Sequence, residues 1–371
     1  MITFSLKNWG TALPLAALIS LMGCGGSEEV QPQEVELGSV HQESLVSDGA
    51  FLFRYGTFGG NGRTCQSCHL ATTGTVNPAQ LQARYAANPN DPIFRPLDSD
   101  NGLGSSYSRL LNNATILVTL PLPPNVSLAS NPTARTITLQ RGIPSTLDTP
   151  ALDPVLMADG RAPTLQAQAL DAIHGHAQNT LAPTLYQLNA IAAYEKTLFS
   201  SSALRNYAKG TGPQPGLPPG NTLSEKRGRV FFNPEGLCGS CHSGALLNEI
   251  PVNNGLGLPP GLDFISHLVS ELNPGNLPVQ TLVITNPDGT TTTVSTPDPG
   301  RFLITGNNAD LNAFKITGVR NIKNTAPYFH DNSAKTLEEL MEHYANVFMV
   351  LDGIVITPQE QADIVAYMKL L

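Results

Sequence analysis

Runs of lysine and arginine are missing from this sequence of 371 residues, whose formal net charge is −8. Proteins that bind nucleic acids need clustered basic side chains to contact phosphates, so we predict no nucleic-acid partner. A surface with a net negative charge is better suited to a small, positively charged protein partner. Tryptophan is nearly absent too, since Trp9 is the only one. The apolar stretch at residues 12–22 is too short and too poorly flanked to be a stop-transfer helix.

The N-terminal segment instead has the features of an export signal. Lys7 precedes the apolar stretch, which ends in Leu21-Met22-Gly23-Cys24. This order is typical of a bacterial lipoprotein signal, in which the cysteine is lipidated and becomes the new N-terminus. The alternative is an ordinary signal peptide with an incidental cysteine.

We therefore predict a signal peptide over residues 1–23, followed by a lipidated Cys24 and a flexible tether over residues 24–44. The lipid would hold a periplasmic protein on a membrane surface without spanning the membrane. Gly25 follows in place of the aspartate that retains lipoproteins on the inner membrane of enteric bacteria, which favours the outer membrane.

Only five cysteines occur, and four of them form two Cys-x-x-Cys-His motifs, Cys65-Gln-Ser-Cys68-His69 and Cys238-Gly-Ser-Cys241-His242. Two thiols at this spacing can reach both vinyl groups of one porphyrin, and the following histidine then points at the iron. Paired cysteines can also bind zinc, but a four-cysteine zinc site would leave a histidine unused at the same offset twice. We therefore predict two covalently bound c-type haems, with His69 and His242 as iron ligands.

The two motifs divide the chain into halves. We predict a mainly α fold with two cytochrome c-like haem domains, residues 45–209 and 222–371, joined by a linker rich in proline and glycine at residues 210–221. Capping-box sequences predict helix starts at Thr222–Glu225, Thr336–Glu339 and Thr357–Glu360.

Long irregular loops are predicted between these helices. Residues 72–140 carry many Pro, Asn and Ser residues with little periodicity. One small β-hairpin insert is predicted, because Val279–Thr285 and Thr290–Thr296 are β-prone runs joined by Asn286-Pro-Asp-Gly289.

Several segments carry a resemblance to a known family. They are Lys315–Asn321 (KITGVRN), Thr325–Asp331 (TAPYFHD) and Thr336–Tyr344 (TLEELMEHY) in the second half, and Arg141–Ser145 (RGIPS) and Asp159–Ala162 (DGRA) in the first. Together they closely resemble the bacterial di-haem cytochrome c peroxidase/MauG family. The resemblance covers most of the chain from about residue 48, apart from residues 72–140 and the hairpin.

The resemblance implies a peroxidase-type oxidoreductase in which the two haems differ. The N-terminal haem at His69 would react with hydrogen peroxide. The C-terminal haem at His242 would relay electrons from a small cytochrome or cupredoxin, or from a side chain of a protein substrate. Tyr344 falls where peroxidases of the family have a methionine as the sixth iron ligand and MauG-type members have a tyrosine. The alternative for Tyr344 is a helix residue facing the core.

Three departures from the peroxidase pattern concern the haem surroundings. No histidine lies between His69 and His174, so the first iron is predicted to be open at rest. The tryptophan that the family has between its haems falls at Ala158, so electrons would need another aromatic residue or a direct path. The distal glutamate falls at Gln178, an amide that cannot exchange protons as a carboxylate does, whereas the distal glutamine is retained as Gln168.

Either His174 or His176 could replace the missing glutamate as the acid–base group, and His176 is favoured because it is closer to residue 178. Either could instead bind the first iron. A fourth departure is Gly142, which replaces an asparagine of the family's calcium site. Carbonyl donors from Thr325 and Pro327 could still bind calcium, and its absence is equally open.

The other histidines receive simpler interpretations. His330 is predicted to order the pocket near the second haem, and His41 and His267 to lie at the surface. If both irons were six-coordinate, the protein would be a non-enzymatic electron carrier. An oxygenase acting on an organic polymer or another hydrophobic substrate is a third reading, which is compatible with the long segment 72–140 but which nothing in the sequence favours.

Overall fold

The computed structural model describes residues 39–251 and 263–371. Its helices are α1 Ser39–Tyr55, α2 Pro78–Ala87, α3 Ser108–Asn113, α4 Thr149–Leu152, α5 Leu165–Gly175, α6 Leu185–Glu195, α7 Ser202–Ala208, α8 Leu223–Phe231, α9 Val269–Leu272, α10 Phe302–Thr305, α11 Leu337–Asp352 and α12 Pro358–Met368. Its strands are β1 Thr115–Pro121, β2 Val126–Leu128, β3 Thr136–Gly142, β4 Phe264–Ile265, β5 Gln280–Thr285, β6 Thr291–Thr296 and β7 Phe314–Lys315. The predicted mainly helical fold is confirmed.

The predicted signal peptide and Cys24 lie outside the described residues, as does most of the predicted tether. Helix α1 begins at Ser39, before the predicted start of the first haem domain at residue 45. Among the helices of the described ranges, none is both long and apolar enough to cross a membrane.

Each half contains two helices that cross at a glycine. Helix α1 packs on α6, and helix α8 packs on α12. At the first crossing, a β-carbon on Gly49 would overlap the backbone carbonyl of Ala190. At the second crossing, a β-carbon on Gly228 would overlap the backbone carbonyl of Asp363 in the same way. The two halves therefore repeat one packing arrangement, in which the missing side chain permits close approach of the backbones.

The segment 72–140 is not the irregular loop that its composition predicts. It contains α2, α3 and the three strands β1 to β3, and β1 pairs antiparallel with β3 from Thr115 opposite Gly142 to Pro121 opposite Thr136. The prediction was wrong because the alternating β-branched residues of these strands lie among prolines and asparagines. Their partners are also distant in sequence, so the local pattern is weak.

A three-stranded sheet joins the two halves of the chain. Strands β5 and β6 pair antiparallel around a turn at residues 286–290, where the sequence predicts a hairpin. Strand β2 of the first half pairs with β5, Val126 lying opposite Ile284. Side chains from both halves then form one buried cluster, which includes Val118, Leu120, Ile137, Leu139, Leu282, Ile284 and Phe302. The halves therefore share a hydrophobic core.

Buried ion pairs also connect the halves. The Arg141 guanidinium donates to both carboxylate oxygens of Asp298, at 2.7 and 2.9 Å, and also to Asp159. Arg161 donates to both oxygens of Asp159 at 2.9 Å. Burial works to lower the pKa of Arg141, but the two carboxylates outweigh it and raise that pKa. Arg141 is therefore a permanent cation that holds Asp159 and Asp298 as anions.

Candidate haem sites

The first Cys-x-x-Cys-His motif follows α1 and starts with a single turn of 3₁₀ helix at Cys65–Ser67. The His69 amide donates to the Cys65 carbonyl at 3.0 Å, which folds the histidine back over the cysteines. The His69 Nδ1 atom lies 2.7 Å from the Gly74 carbonyl oxygen. Since a carbonyl can only accept, Nδ1 carries the proton and Nε2 is left with a free lone pair.

The second motif repeats this geometry after α8. The His242 amide donates to the Cys238 carbonyl at 2.8 Å, and its Nδ1 lies 2.8 Å from the Leu247 carbonyl oxygen. In both motifs the carbonyl that orients the histidine lies five residues after it. Such a bond fixes the tautomer and the ring direction of an iron-binding histidine. The second histidine therefore also presents Nε2 as a metal donor.

The four motif cysteines fit covalent haem attachment. None of them forms a disulfide. Burial lowers the pKa of both His69 and His242, although each carbonyl bond works against it, so both imidazoles are neutral. Neutral imidazole is the form that binds iron. Within residues 39–251 and 263–371, no three His, Cys, Asp or Glu side chains form a group that could hold a metal ion directly, so the cysteines assemble no zinc ligand set there.

The end of α5 places His176, rather than His174, on the side of the first motif. His174 is exposed, whereas the Nδ1 atom of His176 is buried and has no hydrogen-bond partner among the described residues. The Asn61 side-chain NH₂ group donates to the His176 carbonyl at 2.9 Å and so fixes the His176 backbone. Burial lowers the pKa of His176, and His69 is among the groups whose charge acts on it. His176 is therefore a neutral imidazole with one uncommitted nitrogen.

The two glutamines differ in their surroundings. Gln168 is half-buried and lies in the first turn of α5, whereas His176 follows the end of that helix. Gln178 is exposed and has a left-handed backbone with φ of 52°. Its side-chain oxygen accepts from the Asn61 amide at 3.1 Å. Asn61 thus links the backbone of His176 to the side chain of Gln178, outside the buried region.

A buried ion pair between Arg63 and Asp98 stabilises the segment that carries Asn61. Arg63 donates to Asp98 at 2.6 Å and to the Ile93 carbonyl at 2.5 Å, and it is 3 % exposed. The Arg63 amide donates to the Asn61 side chain at 3.2 Å. The buried Arg63–Asp98 pair therefore helps to fix Asn61, and Asn61 in turn holds the backbone of His176.

Tyr344 lies in a group of aromatic rings beside the second motif. It belongs to the hydrophobic cluster that also contains Cys238, and its ring lies 6.0 Å from that of Phe329. Burial raises the pKa of the Tyr344 phenol, and Cys238 and Cys241 add to the effect. The structure thus brings Tyr344 close to the cysteines of the second motif.

His267 also contacts Tyr344. The prediction that His267 lies at the surface was therefore wrong. Its half-buried ring meets the ring of Tyr344 edge-on, with centroids 5.4 Å apart. The His343 Nε2 atom lies 2.8 Å from the His267 carbonyl oxygen. Burial, with smaller contributions from His242 and His343, lowers the pKa of His267 to about 4. No local sequence pattern could reveal that His267 lies beside His343 and Tyr344, because 76 residues separate His267 from His343.

Aromatic rings also lie beside Ala158, where the family has its tryptophan. The Lys315 amide donates to the Ala158 carbonyl at 2.7 Å. The neighbouring Phe314 stacks on His330 with centroids 3.6 Å apart. His330 lies 3.9 Å from Asp298, and its carbonyl accepts from the Gly142 amide at 2.7 Å. His330 is therefore part of the charged contact between the halves.

The predicted calcium ligands follow a short 3₁₀ turn at Ile322–Asn324. Thr325 ends this turn, and the peptide bond before Pro327 is cis. A β-carbon at Gly142 would overlap the carboxamide of Asn332, so that amide fills the space of a side chain at residue 142. The resemblance places an asparagine of the calcium site at residue 142. In this structure the carboxamide of Asn332 lies beside that residue instead.

Comparison with known proteins gives partial matches in sequence and a broad match in fold. No family model matches the chain. It is 41% identical over 75 residues to the cytochrome c551 peroxidase of Nitrosomonas europaea, which covers 20% of this chain and 22% of that protein. It is 27% identical over 194 residues to the cytochrome-c peroxidase IdrP1 of Pseudomonas sp. strain SCT, covering 49% and 48%. The chain thus spans less than half the length of these relatives.

A solved structure of a MauG-like protein associated with microbial copper homeostasis superposes with a TM-score of 0.52 at 20% identity. The superposition covers 89% of this chain and 88% of that one, which shows a shared fold. The names of the sequence relatives and the shared fold agree with the two Cys-x-x-Cys-His motifs of this chain. In part of its sequence this chain is therefore similar to bacterial cytochrome c peroxidases, and in its fold it is similar to a MauG-like protein.

Proposed function

We propose that this protein is a peroxidase-type oxidoreductase that reduces hydrogen peroxide at an N-terminal haem and receives electrons through a C-terminal haem. The observation that carries the proposal is the difference between the two motifs. Both present an equivalent histidine, but near the first lies His176, whose buried Nδ1 has no partner among the described residues, whereas near the second lies Tyr344. The peroxidase names of the sequence relatives support the same activity.

The residues of this chain fit the two haems. Cys65 and Cys68 would attach the first haem and Cys238 and Cys241 the second, through thioether bonds to its vinyl groups. His69 and His242 would bind the irons through Nε2, each held by its carbonyl bond. When bound, haem supplies the redox-active iron at which the O–O bond of peroxide is cleaved.

His176 would act as the acid–base group for peroxide. Its imidazole is neutral, so it could accept one proton of hydrogen peroxide and return that proton to the departing hydroxyl, which would leave as water. Its backbone is fixed by Asn61, so the ring needs little rearrangement. Gln168 would supply an amide hydrogen bond in the same pocket. The exposed Gln178 would serve by holding Asn61, and His174 is exposed to solvent.

The second haem would be closed by Tyr344 and serve as the electron entry point. A phenolate ligand stabilises ferric iron and disfavours binding of peroxide at the same position. Electrons would then pass to the first haem past the stacked Phe314 and His330, in place of the missing tryptophan.

The electron donor would be a small periplasmic cytochrome or cupredoxin, or a side chain of a protein substrate. The net charge of −8 favours a basic partner. Lipidation of Cys24 would anchor the protein to the periplasmic face of a bacterial membrane, with the outer membrane favoured. A calcium ion bound by the carbonyls of Thr325 and Pro327 would stabilise the contact between the halves.

A second candidate function is that of a non-enzymatic electron carrier. The observation that favours it is again His176, because a histidine with a buried Nδ1 that has no partner among the described residues would also suit as a sixth ligand for the first iron. Both irons would then be six-coordinate and neither would react with peroxide.

Peroxide added to the fully oxidised protein distinguishes these functions. A peroxidase with an open first iron changes its haem absorption within the stopped-flow time range without prior reduction. His176→Ala should then slow this reaction about 10²- to 10⁴-fold, the usual contribution of an acid–base group. The exposed His174→Ala variant provides the matched comparison. An electron carrier would instead be unreactive, and His176→Ala would create the reactivity.

A further inference from the structure

The segment before α9 places His267 against the tyrosine proposed to close the second haem. The two rings meet at an interplanar angle of 64°. Tyr344 also contacts Phe348 and Phe329, so it cannot turn away from His267 without disturbing the packing of this aromatic group. His267 and Tyr344 therefore occupy one side of the second motif together.

The backbone, rather than the ring, holds His267 in place. Its carbonyl bonds to His343, and the Leu268 amide next to it donates to the Ser266 hydroxyl at 3.2 Å. That hydroxyl in turn donates to Glu271 at 2.8 Å. In the part of the chain that the structure describes, no group hydrogen-bonds to the His267 ring. Its two nitrogens are therefore available to another partner.

The two neighbouring histidines differ from His267. His343 uses Nε2 for the His267 carbonyl. His330 has a buried Nε2 without a hydrogen-bond partner among the described residues, but its ring stacks on Phe314 rather than on Tyr344. Of the three histidines in this region, only His267 combines contact with Tyr344 and a ring without a partner among the described residues.

We propose that His267 is a second axial donor for the iron of the C-terminal haem, held beside Tyr344 so that either side chain can fill the sixth coordination position. The inference rests on the proposed attachment of a haem at Cys238, Cys241 and His242. Imidazole and phenolate are both established ligands of haem iron. Two donors keep this iron closed to peroxide even when one of them is released, so the reaction is confined to the first haem.

Three variants of the haem-loaded protein test this inference: Tyr344→Phe, His267→Phe and the double variant. Each substitution keeps an aromatic ring and removes a donor atom. Electron paramagnetic resonance and near-infrared magnetic circular dichroism report the spin state and ligands of each ferric haem. Tyr344→Phe should retain a low-spin second haem and acquire the signature of two histidine ligands. The double variant should lose that signal and gain a high-spin haem.

Two results would overturn the inference. One is a high-spin second haem in Tyr344→Phe alone. The other is a low-spin bis-histidine signal that persists in the double variant, because the donor would then be another residue. Should His267→Phe fail to fold, the ligand signature of Tyr344→Phe still decides between these outcomes.

Failure of the proposed function is detected separately on the same samples. Covalent haem content, measured by mass spectrometry, shows whether two haems are attached. The rate of reaction with peroxide shows whether the first haem is open. A protein with two haems and normal peroxide reactivity, but a high-spin second haem in Tyr344→Phe, contradicts only the role of His267.

Discussion

Gly228 in α8 lies directly against the backbone of Asp363 in α12, with no space for a β-carbon between them. A Gly228→Ala substitution would push these two helices apart. We expect the free energy of unfolding to fall by about 1–3 kcal/mol, the usual cost of overpacking a tight contact. Denaturant titration measures this change. Gly216→Ala is the matched control, because a β-carbon there meets no atom within 4 Å. Equal stability of the two variants would contradict the close packing.

The charged contact between the halves yields a second prediction. Arg141→Met leaves Asp298 and Asp159 buried without one of their cations. Breaking a buried ion pair by removing one partner typically costs about 3–5 kcal/mol, which we expect to appear in the free energy of unfolding. Lys369→Gln provides the control, because its pair with Glu338 is more than half exposed on both sides. If the free energy of unfolding of Arg141→Met fell no more than that of Lys369→Gln, the ion pairs of Arg141 would be accessible to water.

Glu195 gives a prediction about pH. This carboxyl is 4 % exposed, its Oε2 atom has no partner among the described residues, and burial raises its pKa from 4.5 to about 8. Between these values the folded protein keeps a proton that the unfolded chain has released. Folding stability should therefore be greatest below about pH 4.5, fall as the pH rises towards 8, and level off beyond that.

Glu195→Gln removes this dependence. The gain in stability of the variant over the natural protein should grow from near zero at acidic pH to a few kcal/mol at about pH 8, since each pKa unit corresponds to about 1.4 kcal/mol. Thermal unfolding across this pH range measures the difference. Glu338→Gln, whose side chain is 62 % exposed, serves for comparison. A difference that does not vary with pH would mean that Glu195 is ionised in the folded protein.

The two haem motifs can be removed one at a time. Replacing Cys65 and Cys68 by alanine should leave one covalently attached haem and abolish the fast reaction with peroxide. Replacing Cys238 and Cys241 should also leave one haem but retain an initial reaction, since the first iron is unchanged. Mass spectrometry gives the haem content and stopped-flow absorption gives the reaction. Loss of the initial reaction in the second variant alone would reverse the proposed roles.

The proposed membrane attachment would depend on Cys24 alone. Cys24→Ser should move the protein from the membrane fraction to the soluble periplasmic fraction, because one thiol would carry the lipid anchor. Cell fractionation followed by immunoblotting measures this distribution. A natural protein that is already soluble in the periplasm would contradict the lipoprotein signal.

Features encoded locally were predictable from the sequence. Thr222 and Glu225 form both bonds of the capping box at the start of α8, and Thr357 and Glu360 do so at α12. The third predicted box is only half formed. Thr336 caps α11, but Glu339 bonds to the amide of Lys335 instead, because its carboxylate reaches one residue further back.

Features that depend on distant parts of the chain were harder to predict. The two motif histidines could be identified, but the carbonyls of Gly74 and Leu247 that orient them carry no side-chain signal. The contact of His267 with Tyr344 arises only when the segment before α9 packs on α11. Strand β2 has three residues, and its partner lies more than 150 residues later. Such pairings are set by tertiary packing, since local propensity for a strand is weak.

The pairing of β2 with β5 limits how this protein can be divided. Cutting the chain at residues 210–221 would sever the connection in sequence but leave a strand of one fragment bound within a sheet of the other. Each fragment expressed alone would expose an unpaired strand edge and half of an apolar cluster, and would be prone to aggregate. The two fragments should therefore be recoverable only as a non-covalent heterodimer, when both are produced in the same cell.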